Sequence, residues 1–257
     1  MSISLRGHTY LSMSQRPKIR LFVDHPLGEA QSVPVSRDHA NYLFNVMRLD
    51  AGAGVALFNG TDGEWRAEVA AKGKRGGVLV CKEQTAPQVM PPDMWLLFAP
   101  IKKARTDFIV EKAAELGVAR VCPVRTERTN AERIRQDKLQ AHAMEAAEQC
   151  GGTYVPPVED IRSLEKVLDG WDDRRALVFA DEAEAGRSSS LAAVLAAAPP
   201  PAAILIGPEG GFSDAERARL RAMPNVHVLS LGPRILRADT AAVAALTLWQ
   251  EHVGDWR

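Results

Sequence analysis

Cysteine is scarce in this chain. Cys81, Cys122 and Cys150 are the only three, far apart and in no CxxC pair. That spacing excludes a disulfide framework and a thiolate zinc site, and such sparse usage fits a reducing, cytoplasmic setting. Histidine offers no metal site either, because His8, His25, His39, His142, His227 and His252 show no ligand spacing. Net charge is also missing: 32 Lys and Arg balance 32 Asp and Glu. The chain therefore does not coat a nucleic acid by bulk charge, and any such contact must come from local patches. No apolar run approaches the roughly 18 residues of a membrane span. The first sixteen residues mix Arg, His, Ser and Met without an apolar h-region, so they read as a loose extension, 1–18, and not a secretory signal. Neither the Lys-Ser/Thr of a P-loop nor the spacing of a dinucleotide fingerprint is present, and no Ser/His/Asp order stands out.

What is present is a change of period partway along. Ile19 to Val23 is a strand candidate, and Ser36 is placed to cap a helix with Leu43, Val46 and Met47 at i, i+3, i+4. Gly54–Phe58, Glu64–Val69 and Val78–Cys81 read as strands, with turn signals at Asn59-Gly60 and Asp62-Gly63. Residues 19–84 therefore form a small, mostly β domain. Residues 85–93, with Pro87, Pro91 and Pro92, are the linker. From Met94 strands and helices alternate: Trp95–Ala99, a helix capped by Thr106 and closed by Gly117, Val118–Val124, a helix over Lys138–Gln149, and Ala176–Ala180. That order predicts an α/β domain over 94–257 with a mainly parallel sheet covered on both faces.

Two stretches in this second domain share one design. The strand Ala203–Ile206 breaks into Gly207-Pro-Glu-Gly-Gly-Phe212, and Ser213 with Glu216 makes a capping box at the following helix. The strand Val226–Leu231 breaks into Gly232-Pro-Arg-Ile-Leu-Arg237-Ala-Asp-Thr240, ahead of an Ala-rich helix. Glycine lets a backbone approach a ligand closely. Two such turns at strand ends can wall a flat heterocycle with peptide N–H and C=O groups, beyond the carboxyl edge of a sheet.

These blocks, Ile206-Gly-Pro-Glu-Gly-Gly-Phe-Ser213 and Leu231-Gly-Pro-Arg-Ile-Leu-Arg-Ala-Asp-Thr-Ala241, resemble the SPOUT class of methyltransferases. Within it, the chain is most similar to the family that methylates N3 of a uridine in 16S ribosomal RNA of the small subunit (the RsmE type). The resemblance implies a C-terminal SPOUT-like α/β domain with a deep trefoil knot and an N-terminal PUA-like RNA-binding β-barrel. It implies S-adenosylmethionine as cofactor, held by Leu205, Ile206, Gly207, Pro208, Gly210, Gly211, Leu231, Gly232, Ile235 and Leu236. It further implies a homodimer acting on the assembled small ribosomal subunit in the cytoplasm, with neither membrane nor metal. Another RNA target, transfer to a ribose 2′-oxygen, and a non-catalytic ribosomal RNA-binding role are the alternatives.

The arginines of the second loop carry the chemistry that such a reaction needs. Removing the imide proton of a uracil leaves a negative ring, and a fixed guanidinium stabilises it. Arg237 is assigned to the target base, Arg234 to RNA phosphate, and Glu209 to the same catalytic group; ion pairs from either arginine to Glu209 or Asp239 are the competing reading. Lys102, Lys103, Arg105, Arg128 and Arg20 are candidate RNA contacts, each of which also reads as an ordinary surface charge. The basic turn Lys72/Lys74/Arg75 and the pair Arg133/Arg135 read the same way. Lys112 and Glu115 read as a pair on a solvated helix face. Asp239 stands where the family has Glu, and Gly152 where it often has Arg, so Asp239 also reads as a helix cap. The last helix, Thr240–His252, offers Leu246 and Trp249 either to a partner subunit or to its own core.

Overall fold

In the computed structural model, which describes residues 3–5, 8–10, 17–73, 76–130, 133–186 and 191–256, the chain divides into two units. One comprises residues 1–90 with 147–155, the other 91–146 with 156–257. The first opens on a short antiparallel pair, β1 (Ile3–Leu5) and β2 (His8–Tyr10). Apart from these strands and residues 17–18, the expected N-terminal extension lies outside the described residues, as do Lys74 and Arg75 of the basic turn.

The alternating segments then build a five-stranded sheet. Its members are β3 (Arg20–Phe22), β4 (Ser32–Val35), β5 (Gly54–Phe58), β6 (Glu64–Lys72) and β7 (Gly77–Ala86), in the order β3-β5-β6-β7-β4. All neighbours are antiparallel except β3 and β5. Val55, Leu57, Ala67, Val69, Leu79 and Cys81 from three of these strands meet in one core. Irregular register at three points along β6 and β7 lets the long hairpin bend over that core. β7 continues through Ala86, two residues into the stretch expected to be linker, where Thr85 donates to the buried Glu64 carboxylate at 2.8 Å.

Two expectations in this unit are corrected. Ser36 does cap a helix, accepting from His39 N at 3.1 Å, but that helix, α1 (Arg37–Ala40), passes into a π turn over Asn41–Val46. Met47 N bonds to Tyr42 O, five residues back, so side chains no longer recur at i, i+3, i+4. Leu43 and Phe44 are buried, while Val46 is 61% and Met47 42% exposed. Arg20 is not free for RNA. Its guanidinium pairs with Glu64 at 2.5 Å, donates to the Ala147 and Gly152 carbonyls, and stacks on Phe58 at 3.9 Å.

The second unit is an all-parallel sheet. Chain order is β8 (Met94–Phe98), α2 (Lys103–Glu115), β9 (Arg120–Arg125), α3 (Gln136–Cys150, its last turn counted with the first unit), β10 (Arg162–Ser163), α4 (Leu164–Asp169) and β11 (Ala176–Ala180). There follow α5 (Leu191–Ala196), β12 (Ala202–Ile206), α6 (Asp214–Ala222), β13 (Val226–Leu229) and α7 (Ala238–His252). The strand order is β10-β9-β8-β12-β11-β13. The central strands are covered on both faces, so they are continuous apolar runs: every residue of Ala202–Ile206 is buried.

Local signals hold at several helix ends. Gly117 takes φ +72°, the left-handed conformation that closes α2. Ser213 and Glu216 exchange both bonds of the capping box. Thr106, by contrast, is not the cap of α2; the helix begins earlier, at Lys103, and the Thr106 hydroxyl bonds back to both peptide groups of Ile101. Nor does Asp239 cap α7, since Arg237 occupies that position. Leu246 and Trp249 belong to the core of this unit: both are buried, and the Trp249 indole donates to Ala198 O at 2.9 Å. Gln250 completes the seam by donating to Leu116 O, a terminal carbonyl of α2, at 2.6 Å.

Candidate functional site

Parallel register puts the carboxyl ends of four strands in one line, with Ile206 opposite both Phe98 and Ala180, and Ala180 opposite Leu229. Each strand end must turn there into a loop, and the loops after β11, β12 and β13 enclose a cleft of about 250 Å³. The first supplies Asp181, Glu182 and Ala185, the second Gly207–Glu209, and the third Leu231, Gly232 and Arg234–Ala238.

Two positions in the loop after β12 require glycine. A Cβ on Gly207 would lie 2.9 Å from the ring of Phe212, so only glycine lets that ring fold back over the turn. Phe212 is fully buried and meets Phe179 edge-on at 5.8 Å. Gly211 has φ +66°, and a Cβ there would overlap the Glu182 carboxylate. The loop after β13 is pinned at its start: Ser230 donates to Glu184 O at 2.9 Å, and Gly186 N bonds Gly232 O at 3.1 Å.

Of the residues expected around a cofactor, Ile206, Gly207, Pro208, Leu231, Gly232, Ile235 and Leu236 line this cleft. Leu205, Gly210 and Gly211 do not. Leu205 points the opposite way along the strand, into a core with Leu97, Phe179 and Phe212. Gly210 turns outward, where its carbonyl accepts from Arg128 at 2.9 Å. Glu209, Arg234 and Arg237 all line the cleft.

Their pairing differs from the expected alternative. Arg105, a candidate RNA contact, takes the acids instead, reaching Glu209 at 2.8 Å and Asp239 at 3.7 Å. Arg234 and Arg237 are exposed and make no ion pair among the described residues. Lys103 is committed to Asp107 at 2.5 Å, while Lys102 is exposed. Lys112 and Glu115 do pair, at 2.6 Å.

Sequence reasoning passed over the acidic side of the cleft. Asp181 is wholly enclosed and accepts from Arg217 at 3.0 Å, Arg221 at 3.2 Å and the peptide N–H of Ala183 at 3.1 Å. Arg217 also holds Glu182 at 2.6 Å, and Arg221 holds Glu184 at 2.6 Å. Desolvation pulls the Arg217 pKa down, and to a lesser degree that of Arg221, but the surrounding carboxylates outweigh it and leave both raised. The available signals were an acidic pair at the end of an apolar strand, and two arginines spaced i, i+4 on one helix.

Comparison with known proteins gives a consistent picture. Residues 89–250 match the model of an RNA methyltransferase domain, and residues 35–80 that of an RNA methyltransferase PUA domain. A ribosomal RNA small subunit methyltransferase E of Rickettsia conorii is 29% identical over 88% of this chain and 93% of its own. Its Bacillus subtilis counterpart is 26% identical over 86% and 90%. A crystal structure of the Neisseria gonorrhoeae methyltransferase E bound to S-adenosyl methionine has TM-score 0.83 and 25% identity, covering 95% of this chain and all of that one. A Legionella pneumophila protein in complex with the same cofactor has TM-score 0.79 and 30% identity, over 92% and 98%.

Proposed function

The chain belongs to the RNA methyltransferase family, and from that premise we propose that it transfers the methyl group of S-adenosylmethionine to N3 of a uridine in 16S ribosomal RNA. The observation that carries this reading is the cleft itself: glycine loops after β12 and β13, the strands on either side of β11, with two arginines on its wall that make no ion pair among the described residues. The residues fit the cofactor. Residues of both loops line the cleft together with the apolar Ile206, Leu231 and Leu236, and backbone N–H and C=O groups beside apolar side chains are the surroundings that a flat purine needs. When bound, the cofactor supplies an activated methyl group, so the protein's task is to orient two reactants in line.

Arg237 acts on the base. Loss of the N3 proton spreads negative charge over the ring, and the Arg237 guanidinium lies where the amino end of α7 also contributes positive potential. Arg234 takes RNA phosphate. Glu209 is a loop anchor, held by Arg105, and Asp239 shares that anchor. Lys102 and Arg128 follow strands ending on the same edge of the sheet and extend the phosphate-binding face; residues 35–80 form the PUA-like RNA-binding part of the first unit.

The enzyme is cytoplasmic and modifies the assembled small subunit. Among the described residues no helix is long and apolar enough to cross a membrane, and no group of side chains is arranged for a metal. It works as a homodimer, a reading supported by Ile235, 73% exposed beside the cleft.

The test is transfer of labelled methyl to small ribosomal subunits from cells lacking this protein, with naked ribosomal RNA in parallel. Digestion should place the label on uridine N3, and Arg237→Ala should lower kcat by about 100- to 1,000-fold while cofactor binding persists. Label on a ribose oxygen or in another RNA would overturn the substrate assignment; cofactor binding with no transfer to any RNA would overturn the catalytic one.

A further inference from the structure

We propose that Glu182 is a cofactor-binding residue, a hydrogen-bond acceptor on the cleft wall that Arg217 aims and Gly211 admits. This rests on the cofactor assignment above and adds a side-chain contact to a site otherwise built from peptide groups and apolar walls.

Two separate parts of the chain converge on this one carboxylate. From α6, Arg217 binds its Oε1 at 2.6 Å. From the loop after β12, Gly211 leaves open the space it fills: a Cβ there would sit 1.7 Å from Oε1. Glu182 is one of the residues that line the cleft, and its Oε2 accepts no hydrogen bond among the described residues. Neutralising Arg217 does not require Glu182, because Asp181 is already its fully enclosed partner and Asp214 stands at 3.5 Å. On the wall after β11 the charged lining residues are Asp181 and Glu182, both acidic, while the basic lining residues Arg234 and Arg237 belong to the loop after β13. Such a wall suits a ligand bearing a sulfonium and an ammonium group. The chemistry that Glu182 recognises is a donor pair, supplied either by the ribose hydroxyls or by the ammonium of the methionyl end.

Calorimetric titration of the full chain tests this, using S-adenosylmethionine and 5′-methylthioadenosine, which keeps the adenine and ribose and lacks the amino acid. Glu182→Gln should weaken S-adenosylmethionine about tenfold or more while the thermal unfolding midpoint stays put. Equal weakening of 5′-methylthioadenosine identifies the ribose as donor; undiminished binding of that analogue identifies the ammonium. Arg217→Gln should raise KM for the cofactor with little change in kcat at saturation, and Arg217→Lys should restore part of the affinity. If wild type binds and Glu182→Gln binds S-adenosylmethionine within twofold of it, this inference fails alone. If wild type binds neither compound, the cofactor assignment fails with it.

Discussion

Replacing Asp181 by alanine removes the group that ties the loop after β11 to α6 at the cleft wall. The carboxylate is wholly enclosed and accepts from Arg217, Arg221 and Ala183 N. Bonds to charged partners contribute about 1.5–3 kcal/mol each when buried, and Arg217 is only 17% exposed. Arg221 is 43% exposed, so water screens it and its share falls below about 1 kcal/mol. The peptide bond to Ala183 adds about 1 kcal/mol. The sum, about 4 kcal/mol, matches the loss of about 3–5 kcal/mol seen when one member of a buried pair is deleted. Urea unfolding, extrapolated linearly, measures it directly. A cycle with Arg217→Gln should then show about 1–3 kcal/mol of coupling, since the two side chains touch. A cost below about 1 kcal/mol for Asp181→Ala, or additive behaviour in the cycle, would refute the claim that this carboxylate holds the cleft wall.

Other expectations test different parts of the molecule. Phe212→Ala should cost about 3–5 kcal/mol in the same urea assay, because it empties a core position against Phe179 and releases the turn over Gly207. Arg20→Ala should destabilise by about 3 kcal/mol by removing the cation paired with the buried Glu64 carboxylate; the salt dependence of RNA binding should be unchanged, where a phosphate contact would lower the slope by about 1. Among the thiols, exposed Cys150 should react with a thiol reagent near pH 8 in the folded protein, whereas Cys81 and Cys122 should need denaturant. Burial, with Glu159 adding to it, pushes Cys122 up to about 12, and burial also raises Cys81. The folded state thus keeps a Cys122 proton that the unfolded chain loses above its ordinary pKa of 9.0. Stability should therefore fall as pH rises from about 9 towards 12, by up to about 1.4 kcal/mol per unit from this thiol, and Cys122→Ala should flatten the slope.

Much of this fold was legible because its signals are local. A buried parallel strand is a continuous apolar run, and β11 appears at Ala176–Ala180 as read from the sequence. Ser213 and Glu216 are three residues apart and found each other; Gly117 needed only its own φ. The helix after Ser36 misled for a local reason as well, since one π turn changes the phase of the side chains that follow. Thr106 misled because its hydroxyl had a competing backbone partner at Ile101.

By itself, then, the sequence determined the two architectures, the position of both glycine loops at strand ends, and the presence of Glu209, Arg234 and Arg237 on them. Only the tertiary structure decided which charges remain free. Arg105 lies far from Glu209 in sequence yet meets it at 2.8 Å, whereas Arg234 and Arg237 make no ion pair among the described residues. Arg20 looked like a surface cation and became an internal one through carbonyls more than a hundred residues away. Asp181 and Glu182 joined the cleft because β11 lies between β12 and β13 in the sheet. Local pattern specifies backbone conformation through sterics and nearby hydrogen bonds, but the partner of a charged side chain depends on which strands become neighbours.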